Sequence, residues 1–151
     1  MAKVRTDFVT NSSSSSFILG FKSREEMENF DQTFPEWLSE KVIQKVASDV
    51  MNHFITKEEA IGLYQDNLWT TNWEFNGKDY WDLSQEERNS EEYRQFIQDK
   101  KDELSKELAE KLDKCEFISL VGYEDHTQVG SLLEHTVMPY HKNTIERLSY
   151  H

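Results

Sequence analysis

Phe117-Ile118-Ser119-Leu120-Val121-Gly122-Tyr123 is the stretch that decides the fold class. Its aromatic and β-branched residues run on without regular polar alternation. That is the pattern of a strand buried on both faces or lying at the centre of a sheet. Working outward, Phe17-Ile18-Leu19, in a piece ending near Phe21, reads as a short strand, and residues 143–150 supply a further strand. Between the last two lies a short helical pattern, residues 128–137, ended near Met138-Pro139 because the residue before a proline avoids the helical region. Strands near both termini around a helical middle predict an α+β domain, predominantly helical, with a small antiparallel sheet uniting the two ends. The expected organisation is one domain over 1–151: a Ser-rich segment (1–16), a mainly helical part (17–116) and a strand-helix-strand part (117–151).

The middle carries four Ser/Thr-x-x-Glu capping boxes, in which the two side chains satisfy the free amides of a first helical turn. They are Ser23–Glu26, Thr33–Glu36, Thr56–Glu59 and Ser84–Glu87. The second leads into Leu38, Val42, Ile43, Val46, Ala47, Val50 and Phe54, which share one helical face. The fourth opens an expected long helix over 85–114, with Phe96, Ile97, Leu104, Leu108 and Leu112 on one stripe. Its opposite face offers the i,i+4 pairs Asp102–Lys106, Glu107–Lys111 and Glu110–Lys114.

Between the third and fourth helices, Asn76-Gly77 sits between aromatic-rich arms and predicts a two-residue β-hairpin turn, because both positions must accept positive φ. The turn would set Phe75 opposite Lys78 and Trp73 opposite Tyr80. Trp69, Trp73, Tyr80 and Trp81 are therefore either hairpin packing or a partner contact surface. Joint exposure of Trp69 and Trp81 would favour contact, since exposed apolar patches mark interaction sites.

The chain has 151 residues, 17 basic and 29 acidic, for a net charge of −12; 36% is hydrophobic and 13% aromatic. Low hydrophobicity with high charge is the composition of disorder. The aromatic content opposes it, because each buried ring removes about 150–250 Å² from water. Residues 24–92 hold 17 acidic and 6 basic side chains, a net of −11. This acidic block disfavours direct binding to a nucleic-acid backbone, which needs Lys and Arg. It suits a basic protein partner, or, on a thinner argument, mimicry of nucleic acid. One cysteine excludes an internal disulfide. No apolar run is long enough to span a membrane, and the opening residues lack a secretory h-region, so the cytoplasm is the expected compartment.

Chemistry-bearing residues cluster toward the end of the chain: Glu124, Asp125, His126, Glu134, His135, His141 and His151. Imidazole with carboxylate can hold zinc or another divalent metal, with Asp125, His126 and His135 as candidate ligands. No HExxH or Cys-x-x-Cys spacing accompanies them, and capping or surface histidines are the simpler reading. The run Ser12–Ser16 can cradle an anion with Arg5 or Lys22 supplying charge, but it lacks the glycines of a phosphate loop. Cys115, beside Lys111, Lys114 and Glu116, reads as a small buried apolar residue.

The segment Arg5-Thr6-Asp7-Phe8-Val9-Thr10-Asn11, followed by Ser12–Ser16 and Phe17-Ile18-Leu19, resembles the opening of a loose set of uncharacterised bacterial and phage proteins. The resemblance covers about the first 15 residues and, loosely, the last few. It carries no catalytic residue over. It implies a shared role for Arg5, Asp7, Asn11, Ser12 and Ser13, candidate ligand-binding positions, and a prokaryotic or phage setting.

Two functions follow. The first is a non-enzymatic protein acting through contacts made by the acidic block or the aromatic hairpin. The second is a metal- or ligand-binding domain, or a small enzyme, whose site joins the Ser-rich segment to the C-terminal histidine and carboxylate cluster.

Overall fold

The computed structural model describes residues 14–124 and 126–150. At its centre is β1 (Ser14–Phe21), hydrogen-bonded on both sides to antiparallel partners, β2 (Phe117–Glu124) and β3 (Thr144–Tyr150), in the order β2-β1-β3. Ser14 stands opposite Glu124 and Tyr150, and Phe21 opposite Phe117. The α+β class and the union of the two ends are as the sequence predicts, with one correction. β1, not the Phe117 strand, holds the central position.

Burial on both faces explains the unbroken apolar run of β1. Phe17, Leu19 and Phe21 join Val121 and Tyr123 on one face, beneath Met27 of α1 (Arg24–Glu28) and Val46 and Val50 of α2 (Glu40–Asn52). Ile18 joins Ile118 and Leu148 on the other. There they meet Ala60 of α3 (Lys57–Asp66) and, further along the chain, Leu108 and Leu112. Each such side chain contributes about 1.5–3 kcal/mol when fully buried. β2 is an edge strand yet largely buried, because residues 53–55 cover its outer side. Ile55 N–H donates to the Ile118 carbonyl and Leu120 N–H to that of His53, both at 3.0 Å.

Serine and threonine hydroxyls cap most of the helices. The Thr56–Glu59 and Ser84–Glu87 boxes both form reciprocally, and Ser23 caps α1. The Thr33 box does not form. Its hydroxyl is engaged by the Phe30 carbonyl (2.5 Å) and by His141 Nε2 (2.6 Å), so Ser39 caps α2 instead.

The expected 85–114 helix is three pieces: α4 (Gln85–Arg88), α5 (Glu91–Leu104) and α6 (Lys106–Asp113). Ser90 breaks it by accepting from Tyr93 N–H. Buried Ser105 breaks it again by donating to the Lys101 carbonyl (2.9 Å) while accepting from Gln65. Serine hydroxyls that bond local backbone compete in this way with helix continuation. Of the three side-chain pairs expected on this stretch, Glu107–Lys111 forms, at 3.3 Å. Asp102 accepts from Gln98 and Gln65 instead.

The Asn76–Gly77 turn is present, with φ of 54° and 78°. Phe75 and Lys78 exchange both backbone hydrogen bonds, at 2.9 and 3.0 Å. The arms do not continue as strands: Thr70–Asn72 and Tyr80–Asp82 are single 3-10 turns. Phe75 instead packs on Tyr93 (5.2 Å) and Phe96 (5.1 Å) of α5. Arg88 donates to the Tyr80 carbonyl at 2.9 Å.

After β2 the chain forms α7 (Gln128–Leu132), a π-helical turn over Leu133–Val137 and a 3-10 turn over Met138–Tyr140. Among the described residues no helix is long and apolar enough to cross a membrane. α7 begins where Gly130 presses on the end of β2: a Cβ there would stand 2.0 Å from the Glu124 carbonyl oxygen. Gly130→Ala is expected to cost about 2–3 kcal/mol, as overpacking against rigid backbone does. Thermal unfolding should show Tm lowered by roughly 5–10 °C.

Candidate functional site

The end of the sheet where β1 begins is polar and buried at once. Ser14, Ser15 and Glu134 are all buried, Glu134 completely. The π turn that carries Glu134 is a wider coil than an α-helix, of a kind frequent at functional sites. It tucks Leu133, Glu134 and Val137 all inside. Ser15 Oγ donates to Glu134 Oε2 at 2.8 Å and accepts from Arg147 Nε at 3.0 Å. Arg147 Nη2 lies 3.8 Å from the same carboxylate oxygen. The hydroxyl thus bridges a buried anion and a half-exposed cation contributed by β3.

The other carboxylate oxygen is less well served. His135 Nε2 stands 3.1 Å from Glu134 Oε1, near enough for attraction when the ring is charged, but that oxygen accepts no aligned hydrogen bond among the described residues. Ser14 Oγ is likewise without a hydrogen-bond partner there. The order of contacts is hydroxyl, carboxylate, imidazole. An imidazole that activates a serine must touch the hydroxyl, so this arrangement supports anchoring and binding rather than nucleophilic attack.

The histidine and carboxylate set disperses. His126 Nδ1 contacts Glu124 at 3.0 Å, whereas His135 turns to Glu134. Among the described residues no group of three or more His, Cys, Asp or Glu side chains is arranged to hold a metal. Asp125 and His151 lie outside the described residues, as do Arg5, Asp7, Asn11, Ser12 and Ser13.

His141 has a structural post elsewhere, packed 4.9 Å from Phe30 and 4.8 Å from Phe34. Its Nδ1 accepts from Asn143 N–H at 3.0 Å. The ring proton therefore sits on Nε2 and faces Thr33 Oγ1, whose own proton goes to the Phe30 carbonyl. Burial, helped by Lys142, holds the His141 pKa down to about 4.

The aromatic segment sits apart from both core layers. Trp69 and Trp81 are 71% and 73% exposed, whereas Trp73 and Tyr80 are half-buried. The 3-10 turns that follow Trp69 and contain Trp81 pack against each other. Tyr80 supports the surface from below: its ring meets Trp81 edge-on at 5.0 Å and carries the Arg88 guanidinium at 4.2 Å. Residues 66–92 around it hold eight acidic and two basic side chains.

Searches against protein-family models, curated proteins and solved structures find no match to this chain. Its geometry therefore carries the functional argument. Sequence reasoning brings the serine run and the C-terminal carboxylates to one place, but it misses Arg147 and the interior position of Glu134. The alternation of β3 was the available signal: Arg147 lies next to buried Leu148 and opposite Phe17.

Two outcomes test this end of the molecule. Removing the cation strands a buried carboxylate, so Arg147→Ala should cost about 1–2 kcal/mol in urea unfolding, the half-exposed guanidinium being partly screened by solvent. Glu134→Gln added to that variant should recover part of the loss. For His141, the unfolded chain takes up a proton between about pH 6.5 and pH 4 that the folded ring refuses, so stability is lost as pH falls through that window. At pH 5 the loss from this half-buried group should be about 1 kcal/mol after solvent screening. His141→Gln should flatten the difference between unfolding curves recorded at pH 7 and pH 5.

Proposed function

We propose that this protein is a binding module for a protein segment that presents apolar side chains among basic ones, docked on the Trp69–Trp81 surface. The observation that carries the reading is the exposure of two tryptophans at neighbouring 3-10 turns, Trp69 just before one and Trp81 within the other, where Tyr80 supports it edge-on. Tryptophan is the residue most enriched among interface hot spots, and leaving two such rings in water has no benefit to an isolated fold. The acidic residues around them supply the complementary charge, which steers a basic partner and sets its register. The acidic surface alone fits solubility just as well; its coincidence with the tryptophans is what favours binding.

A second reading rests on the Ser15–Glu134–Arg147 contact. Ser15, from the serine run, meets the C-terminal carboxylate Glu134 at 2.8 Å, which supports a ligand-binding domain or small enzyme. The hydroxyl–carboxylate–imidazole order favours a binding role for it.

Titration with an amphipathic Lys/Leu peptide, followed by calorimetry, tests the first reading. The Trp69→Ala/Trp81→Ala double variant should bind at least about 30-fold more weakly, as loss of one hot spot or more implies. Wild-type affinity should fall as salt screens the acidic rim. Equal binding by the double variant, or equal binding of a Glu/Leu peptide by the wild type, would overturn it.

A further inference from the structure

The Asn76–Gly77 turn differs from the rest of the chain in which of its atoms are left free. Both residues are exposed, and a Cβ on Gly77 would meet nothing within 4 Å. The two hydrogen bonds of the turn join Phe75 to Lys78. Among the described residues, neither the Gly77 amide nor the Asn76 side chain enters a hydrogen bond. An unengaged amide nitrogen next to an asparagine carboxamide is what ring closure between the two requires. Gly77 offers no side chain to shield that nitrogen, and it accepts the φ of 78° that the turn imposes.

No other described asparagine combines these features. The amides that follow Asn52, Asn67, Asn72, Asn89 and Asn143 all donate to backbone carbonyls. Asn29 is followed by Phe30, which is large and buried. Closure also requires Asn76 to rotate out of its turn conformation. A turn pinned by two hydrogen bonds on exposed chain opens locally at little free-energy cost.

We propose that Asn76 is a site of self-modification, at which the protein converts its own asparagine to isoaspartate. The Gly77 nitrogen attacks Asn76 Cγ, the Cγ–Nδ2 bond breaks, and ammonia leaves with the Gly77 proton. The product is a five-membered succinimide. Water then opens the ring at one of its two carbonyls. Attack at the Asn76 backbone carbonyl leaves the chain running through Cβ and Cγ, which is isoaspartate; attack at Cγ leaves aspartate. Isoaspartate lengthens the main chain by one carbon between Phe75 and Lys78 and hangs a free carboxylate on the turn. A two-residue hairpin turn is set by its loop length, so the Phe75–Lys78 pairing opens. Phe75 itself stays packed on Tyr93 and Phe96. Asn76 is thus a one-way switch for the segment between Trp73 and Tyr80, and its chemistry is independent of what the neighbouring tryptophans bind.

Ageing the full-length protein at pH 8 and 37 °C, followed by peptide mapping in a mass spectrometer, tests the site. Residue 76 should convert at least about tenfold faster than any other described asparagine, because their following amides are engaged. Isoaspartate should exceed aspartate, and conversion should slow at pH 5, where the amide nitrogen is a poorer nucleophile. Hydrogen exchange read by NMR should find the Phe75 and Lys78 amides protected in fresh protein and unprotected in the isoaspartyl fraction. Asn76→Gly keeps a turn-forming pair and should show neither conversion nor opening on ageing. Fresh Asn76→Asp adds the charge without lengthening the chain and should keep both amides protected. Absence of conversion in the folded protein, where the same chain unfolded in urea converts, would overturn the site. Equal conversion at the hydrogen-bonded asparagines would do the same. Unchanged exchange in the isoaspartyl fraction, or lost protection in fresh Asn76→Asp, would overturn the switch.

Discussion

Everything in this molecule is arranged around one strand that must be dry on both faces and paired on both edges. β1 alternates its side chains between two helical layers: Phe17, Leu19 and Phe21 toward α1 and α2, Ile18 toward α3 and α6. Its two neighbours both come from residues 117–150, so neither layer can close until that part of the chain is in place. This explains how a chain with only 36% hydrophobic residues sustains a core. Apolar residues are concentrated on three strands and on the inner faces of a few helices, leaving the outer surfaces free to carry charge.

A central strand has two ends, and here each end gathers polar groups of a different kind. Where β1 begins, Ser15 couples a buried carboxylate to Arg147. Where it ends, Gly20 makes room for Cys115 and Ile145 and is clamped by Asn143. Both places depend on groups brought together across more than a hundred residues, 119 for Ser15 and Glu134 and 123 for Gly20 and Asn143. The aromatic surface is different. It is built locally, from residues 69–96, with Phe75, Tyr93 and Phe96 as its own small apolar support. It can therefore vary its contacts with little consequence for the sheet.

What could be read from the residues follows the same division between local and long-range causes. The three strands, the caps at Thr56 and Ser84 and the Asn76–Gly77 turn are legible because each rests on neighbours in sequence. The break at Ser105 is not, since it depends on Gln65 reaching across from α3. Thr33 has the spacing of a cap but serves His141, 108 positions away. That the Phe17 run and not the Phe117 run is central is not legible for a related reason: both are continuously apolar, and only residues 53–55 covering β2 explain why an edge strand needs no polar face. Of the site residues, the serines and Glu134 stand out in the sequence, but the Ser15–Glu134 contact does not.

The distance along the chain between β1 and its partners also orders events in time. During synthesis the Phe17–Phe21 run leaves the ribosome long before either neighbouring strand exists. The capped helices of residues 23–113 can form meanwhile, but they have no sheet to cover. Closing loops of this length is slow and entropically costly, and an unpaired apolar strand is a template for association with other chains. Serines at one end of that strand and a lysine at the other are the polar brackets that sequences use to restrain such segments. The nascent chain is then most vulnerable in the interval before residues 144–150 arrive to complete the sheet.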